Sequence, residues 1–323
     1  MKYLCFACLL LLSCLAFAQK QNVYFLKNDL RLVSNKDSAD FIRIVREPEE
    51  GSKLYVVLEY YTSGQRKRVT RSTKIDPVLR LEGQCVEYYP NGKIKSSANY
   101  VRNNLTGDVF NYFPNGKIYT VEDYGPADTG AHYQADYRKE PLIKTCRDST
   151  GKEMVTDGNG HYLIYNSDFK RVDEEGDVKN GQRVGEWKGH AEGGKVTFSE
   201  FYKEGKLQNG TATDSGGTYK YTVRAINAQY KNGIDAFGRY LGHQISYPIQ
   251  DREYGIQGTV LLSFVINKDG TVKTIKVIRH VSPSIDAEAV RVLAKSKDWL
   301  PAVYFGRQVS SKFTVPISFT LGH

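Results

Sequence analysis

Six histidines (His132, His161, His190, His243, His280 and His323) and five cysteines are the side chains best suited to metal binding or nucleophilic chemistry. Their spacing supports neither. No His-Glu-x-x-His or His-x-His pair occurs, and the one Cys-x-x-Cys, Cys5 to Cys8, falls in the apolar leader described below, so no local segment beyond that leader delivers two ligands to one metal ion. Ser215, Gly216 and Gly217 do not form a Gly-x-Ser-x-Gly elbow, the turn that exposes a nucleophilic serine. Asp173, Glu174 and Glu175 beside Gly176 read as a solvated turn, not as the paired acids of a hydrolase. These residues point to no enzyme, no metal and no cofactor. Cys85 and Cys146 are the two cysteines beyond the leader described below. An even pair in an oxidising compartment suits a disulfide, while a small buried thiol is equally natural at Cys85, so both readings stay open.

The first residues read as a targeting segment. Lys2 supplies a positive start, Leu4 to Leu15 is apolar, and Ala16, Phe17 and Ala18 form an A-x-A site, which predicts cleavage before Gln19 and export. Leu11, Leu12, Ser13 and Cys14 also resemble a lipoprotein box, which would leave Cys14 as a lipid anchor. Retention as an inner-membrane anchor is the third reading, although the apolar run is shorter than the ~20 residues of a spanning helix. Formal net charge is +9, and one cluster stands out: Arg66, Lys67, Arg68, Arg71 and Lys74. Export removes nucleic acid as its partner. Anionic lipid or lipopolysaccharide phosphates remain as an anionic-surface ligand, against the plainer reading of a solvated strand face.

The elements that must carry these side chains are mostly strands. A chain of 323 residues with 40% hydrophobic content suggests two ordered parts. GQCVEYYPNGKI (83–94) recurs 24 residues later as GDVFNYFPNGKI (107–118), and EYYTSGQRKRV (59–69) is a weaker copy. Each Asn-Gly between aromatic, alternating stretches predicts a hairpin, with a type I′ turn as the expected geometry. Later fragments continue the theme at 179–190, 201–212 and 216–223. The Tyr and Phe rings are expected to pack repeat on repeat.

The last ninety residues change character. TVLLSFVIN (259–267) alternates, with Val260, Leu262, Phe264 and Ile266 on one face; Lys268, Asp269 and Gly270 make a turn, and TVKTIKVI (271–278) returns. SPSIDAEAVRVLAKS then predicts a helix capped by Ser282 or Ser284, with Ile285, Ala289, Val290 and Leu293 inward. Finally KFTVPISFTL alternates again, with Phe313, Val315, Ile317, Phe319 and Leu321 on one face and Pro316 on the other. A proline in mid-strand places that strand at a sheet edge, its missing donor on the open side.

Tyr247-Pro248, Gly258, the Lys-Asp-Gly turn, Asp286 to Ala289, Trp299, Pro301-Ala302 and Pro316 to Phe319, in this order, resemble the C-terminal domain of TonB proteins, Bacteroidetes-type. The aromatic pairs followed by Asn-Gly-Lys resemble MORN-type repeats of the YwqK-like variant. The expected fold is therefore α+β. An elongated antiparallel MORN-like array (19–224) follows the signal peptide (1–18), and a junction (225–246) leads into a small TonB-like β-β-α-β domain (247–322).

The TonB resemblance implies a periplasmic domain that adds an extended peptide of an outer-membrane TonB-dependent receptor, or of another envelope protein, to its edge strand. Thr314, Val315, Pro316, Ile317, Ser318, Phe319 and Thr320 are the expected partner-binding edge, with Tyr247 and Pro248 as lead-in contacts. Cover by the segment before Tyr247, or by a second copy in a homodimer, is the competing reading of that edge. The apolar leader holds Ser13 but no His, and no Pro occurs before Pro48. The family's residues for coupling to ExbB/ExbD therefore do not carry over, and a membrane-anchored energy transducer is the alternative to a periplasmic binder. A scaffold acting through the repeats is a second alternative.

Overall fold

A computed structural model describes residues 21–75, 78–127 and 140–321. The expected leader, including Cys14, lies outside them. The described chain divides into two compact units. The first holds residues up to Tyr162 together with Val178–Gln182, and the second holds Leu163–Asp177 and everything from Arg183 onward.

The first unit is an antiparallel meander in which each strand pairs with the next. Gln21–Leu26 pairs with Leu32–Val33 and Phe41–Arg46. The path then runs through Tyr55–Tyr61, Arg66–Ser72, Gly83–Tyr88, Ile94–Val101, Asn104–Tyr112, Ile118–Asp123, Leu142–Arg147 and Glu153–Thr156. The Asn91-Gly92 and Asn115-Gly116 hairpins exist, but their turns are not type I′. Only Gly92 (φ 81°) and Gly116 (φ 90°) are left-handed, while Asn91 and Asn115 are not. The Tyr89 amide donates to the Lys93 carbonyl and the Gly92 amide to the Tyr89 carbonyl, which makes a three-residue loop closed by a glycine bulge. Type I′ geometry sits on other hairpins, at Arg102-Asn103, Asp157-Gly158 and Asn180-Gly181.

The Asn and Lys of each Pro-Asn-Gly-Lys turn have a second task. Asn91 Nδ2 donates to the Pro114 carbonyl (2.8 Å) and Lys93 Nζ to the Asn115 carbonyl (2.6 Å). Asn115 Nδ2 and Lys117 Nζ repeat this on Ser149 (2.9 Å) and Thr150 (2.5 Å). Tyr61 Oη donates to the Tyr88 carbonyl and Tyr89 Oη to the Tyr112 carbonyl. Each repeat is thus stapled to its neighbour by its own consensus residues.

In the second unit the strand Gln182–Ala191, from Arg183 onward, pairs with Val196–Lys203, and Lys206–Asp214 and Gly217–Tyr221 follow as a meander. Glycine here makes room for rings: a Cβ on Gly176 would stand 2.4 Å from Trp187 Cγ. The helices Gly233–Gln244 and Pro283–Lys295 follow, the latter capped by Ser282, whose Oγ accepts from the Ile285 amide (3.1 Å). Ile285, Ala289 and Leu293 are buried as expected, and so is Val292; Val290 packs at the margin. The helix Gly233–Gln244 brings Phe237 into the same core, where its ring lies 5.0 Å from Trp299.

Candidate functional site

The C-terminal sheet has three strands. A central strand, Gly258–Ile266, pairs on one side with a return strand, Val272–Arg279, and on the other with the proline strand, Ser311–Phe319. Val260, Leu262, Phe264 and Ile266 meet Val315, Ile317 and Phe319 in the core, with Phe313 packed against it. This apolar face fixes the register, because a slip by one residue would turn every one of these side chains to solvent.

The proline strand is an edge, with no register shift over its nine pairs. Pro316 stands directly opposite Leu261. Having no N–H, it occupies a position whose main-chain groups face away from the central strand. Strand parity gives Thr314 and Ser318 the same orientation, so their N–H and C=O groups also point outward. The side chains of Thr314, Pro316, Ser318 and Thr320 are exposed, while Val315, Ile317 and Phe319 are buried anchors. The strand ends at Phe319, and Thr320 follows it.

The return strand is an edge of a different kind. Its pairing shifts register twice, and Thr274 has a positive φ of 55°. It also carries Lys273, Lys276 and Arg279. Bulges and cations are the ordinary means of blunting an edge against added strands. The sheet therefore has one regular edge and one protected edge.

Tyr247 and Pro248 support the far end of the proline strand. The Tyr247 ring lies 5.8 Å from Phe319, edge to face, and its Oη donates to the Ile256 carbonyl. Pro248 precedes the short helix Ile249–Glu253 as its cap residue. The Leu321 amide donates to Gln257 Oε1 (2.8 Å), which holds the chain just after the strand.

Before the proline strand, the hairpin Ala302–Tyr304 and Arg307–Val309 anchors the sheet to the meander strands of the same unit. Phe305 at its tip is 1% exposed and stacks on Phe198 at 4.8 Å, beside Tyr221 and Ala212. Arg307 reaches Asp214 (2.7 Å) and Glu192 (2.5 Å). Below this contact Arg224 binds Glu174 and buried Glu200, while Tyr202 and Tyr221 donate to the Glu200 carboxylate at 2.9 Å each. Burial alone would raise the Glu200 pKa, but the Arg224 hydrogen bond and charge, with the tyrosine hydroxyls, outweigh it and hold the carboxyl below its usual value. Burial pushes the Tyr202 hydroxyl up to about 12. Asp173, Glu174 and Glu175, expected in a turn, lie in the strand Val172–Lys179.

The basic cluster does not stay together. Arg68 binds Glu87 (2.6 Å) and Glu59 (3.3 Å), and Glu59 binds Arg43 (2.8 Å). These four residues stand directly opposite one another on successive strands, as a charge ladder across the meander. Lys67 Nζ sits 3.6 Å over the Phe41 ring, and burial lowers its pKa. Arg66, Arg71 and Lys74 remain exposed. Cys85 and Cys146 are separate buried thiols, not a disulfide. His161, His190, His243 and His280 lie on different elements, and His132 and His323 are outside the described residues. Among the described residues no group of three His, Cys, Asp or Glu is placed to hold a metal ion. No described helix is long and apolar enough to cross a membrane.

Comparison with known families agrees with these two kinds of architecture. Residues 243–321 match the model of the Gram-negative bacterial TonB protein C-terminal, and residues 81–102 match the MORN repeat variant. These two stretches are similar to a TonB-type C-terminal domain and to one MORN-type repeat. Among solved structures, the solution structure of the TonB C-terminal domain of Helicobacter pylori is similar to 27% of this chain and 78% of its own, at 24% identity and a TM-score of 0.23. No curated protein matches the chain.

Proposed function

We propose that this chain is a non-enzymatic interaction protein of the bacterial envelope, exported to the periplasm. Its proline strand captures an extended peptide of an outer-membrane receptor, or of another envelope partner, by strand addition. The observation that carries the reading is the contrast between the two edges of one sheet. The return strand is bulged and cationic, whereas Ser311–Phe319 is regular along nine pairs with its outer main-chain groups unmatched. An incoming strand needs such a row of groups, and gains affinity from main-chain hydrogen bonds. Val315, Ile317 and Phe319 hold the strand from beneath without being consumed by the contact.

The test removes outward donors without touching the core. Thr314→Pro with Ser318→Pro deletes two N–H groups on the open side and leaves the main-chain bonds to the central strand in place, losing only the exposed hydroxyl contact of Ser318 with Thr259. At about 1 kcal/mol for each lost hydrogen bond, binding of a receptor N-terminal peptide should weaken about tenfold or more while the melting temperature holds. Unchanged binding by a folded double variant would refute strand addition at this edge.

A further inference from the structure

We propose that the open face of the C-terminal sheet is a second docking surface, made for an extended acidic segment of a partner protein with carboxylates at alternate positions. In the sequence Lys273, Lys276 and Arg279 are three residues apart, a spacing that in a regular strand would turn the middle one to the opposite face. The two bulges undo this. Each adds one residue to the return strand, so Lys273, Lys276 and Arg279 stand opposite Val265, Ser263 and Leu261, which are two apart and share a face. All three cations therefore project from the side away from the helices. Lys312 joins them from the proline strand, opposite the same Val265.

The result is a tray. Its floor is half-buried Leu261 and Val265 with buried Ser263 between them, and cations stand along one long side and at one corner of the other. The three strands, GTVLLSFVI, VKTIKVIR and SKFTVPISF, contain no Asp or Glu. Among the described residues none of the four cations takes part in an ion pair, and all four are exposed. Asp269 in the adjoining turn accepts from the Thr271 amide and hydroxyl and is near enough to Lys273 to feel its charge, without forming an ion pair with it. Edge protection accounts for cations on the return strand, but it needs neither their collection on one face nor Lys312 on the regular edge.

The spacing selects the occupant. Successive cations on the return strand are about 7 Å apart, two residues of strand, which is also the distance between alternate side chains of any extended peptide. A segment lying along the strands with an acid at every second position places one carboxylate beside each cation. A lipid surface offers charge without that period. This surface is separate from the proline edge, and it stands whether or not that edge takes a peptide.

The experiment is fluorescence anisotropy on the full chain with a synthetic peptide of alternating Glu and Thr. A peptide of the same composition with its Glu residues in one block serves as the comparison. The alternating peptide is expected to bind more tightly than the block peptide, and less tightly as salt rises. Lys273→Gln/Lys276→Gln/Arg279→Gln, all exposed positions, should weaken it about tenfold with an unchanged melting temperature. Ser318→Pro, opposite Thr259 and beyond the floor residues, should leave it intact, which separates this surface from strand addition at the proline edge. Equal binding of the two peptides, loss of binding only in the proline-edge variant, or binding of anionic phospholipid vesicles in place of the peptide would each overturn the proposal.

Discussion

Arg224 is the counter-charge of the buried Glu200 and shares Glu174 with Arg183, so one guanidinium joins two carboxylates of the second unit. Removing one partner of a buried pair leaves an uncompensated charge, so Arg224→Met should cost about 3 kcal/mol in urea unfolding. Adding Glu200→Gln to it should recover a large part of the loss, which a double-mutant cycle will read. The depressed Glu200 pKa sets the sign of a pH effect. The carboxylate stabilises the fold fully above its unfolded value of 4.5, and that contribution disappears as pH falls through the lower folded value. The urea midpoint should therefore drop as the pH falls from 4.5 towards that lower value, and drop less in Glu200→Gln. Glycine positions make the opposite demand: Gly176→Ala places a methyl group against Trp187. Overpacking of this kind should cost about 1–3 kcal/mol, read as a lower melting temperature.

At the scale of elements, the C-terminal strands and helix were legible because burial on one face writes itself as alternation or helical spacing. Val260 to Ile266, Phe313 to Phe319 and Ile285 to Leu293 all carry that mark. Pro316 placed its strand at an edge for a reason of covalent chemistry, and the sheet order agrees. What stayed hidden was anything set by local irregularity. The bulges of the return strand leave no signal in composition, so Lys273, Lys276 and Arg279 read as ordinary surface residues until the register gathers them. The turns at Asn91-Gly92 and Asn115-Gly116 took the glycine-bulge form because their Asn side chains are occupied elsewhere: Oδ1 of Asn91 accepts from the Lys93 amide while its Nδ2 reaches the next repeat. Asn91→Ala and Asn115→Ala should therefore leave the hairpins formed and loosen the contact between repeats, seen as faster amide exchange at Gly116 and Gly151. The basic cluster was misleading for a related reason. Arg68 faces carboxylates on both neighbouring strands, a cross-strand relation that linear sequence conceals.

At the scale of the molecule, the match to the TonB-type domain begins at residue 243, but the core it needs begins earlier. Ala228, Tyr230 and Phe237 belong to the same buried cluster as Trp299, and Phe305 is covered by Phe198, Ala212 and Tyr221. A fragment of residues 243–321 should expose Trp299 and Phe305 and be several kcal/mol less stable than one of 163–321, as chemical denaturation will show. Strand addition at the proline strand is read out by amide hydrogen exchange at single-residue resolution. On adding the N-terminal peptide of an outer-membrane receptor to the full chain, new protection is predicted at the outward amides of Thr314 and Ser318, with Phe313, Val315 and Ile317 already protected beforehand. Peptide binding with protection confined to the repeats, and none at Thr314 and Ser318, would contradict it.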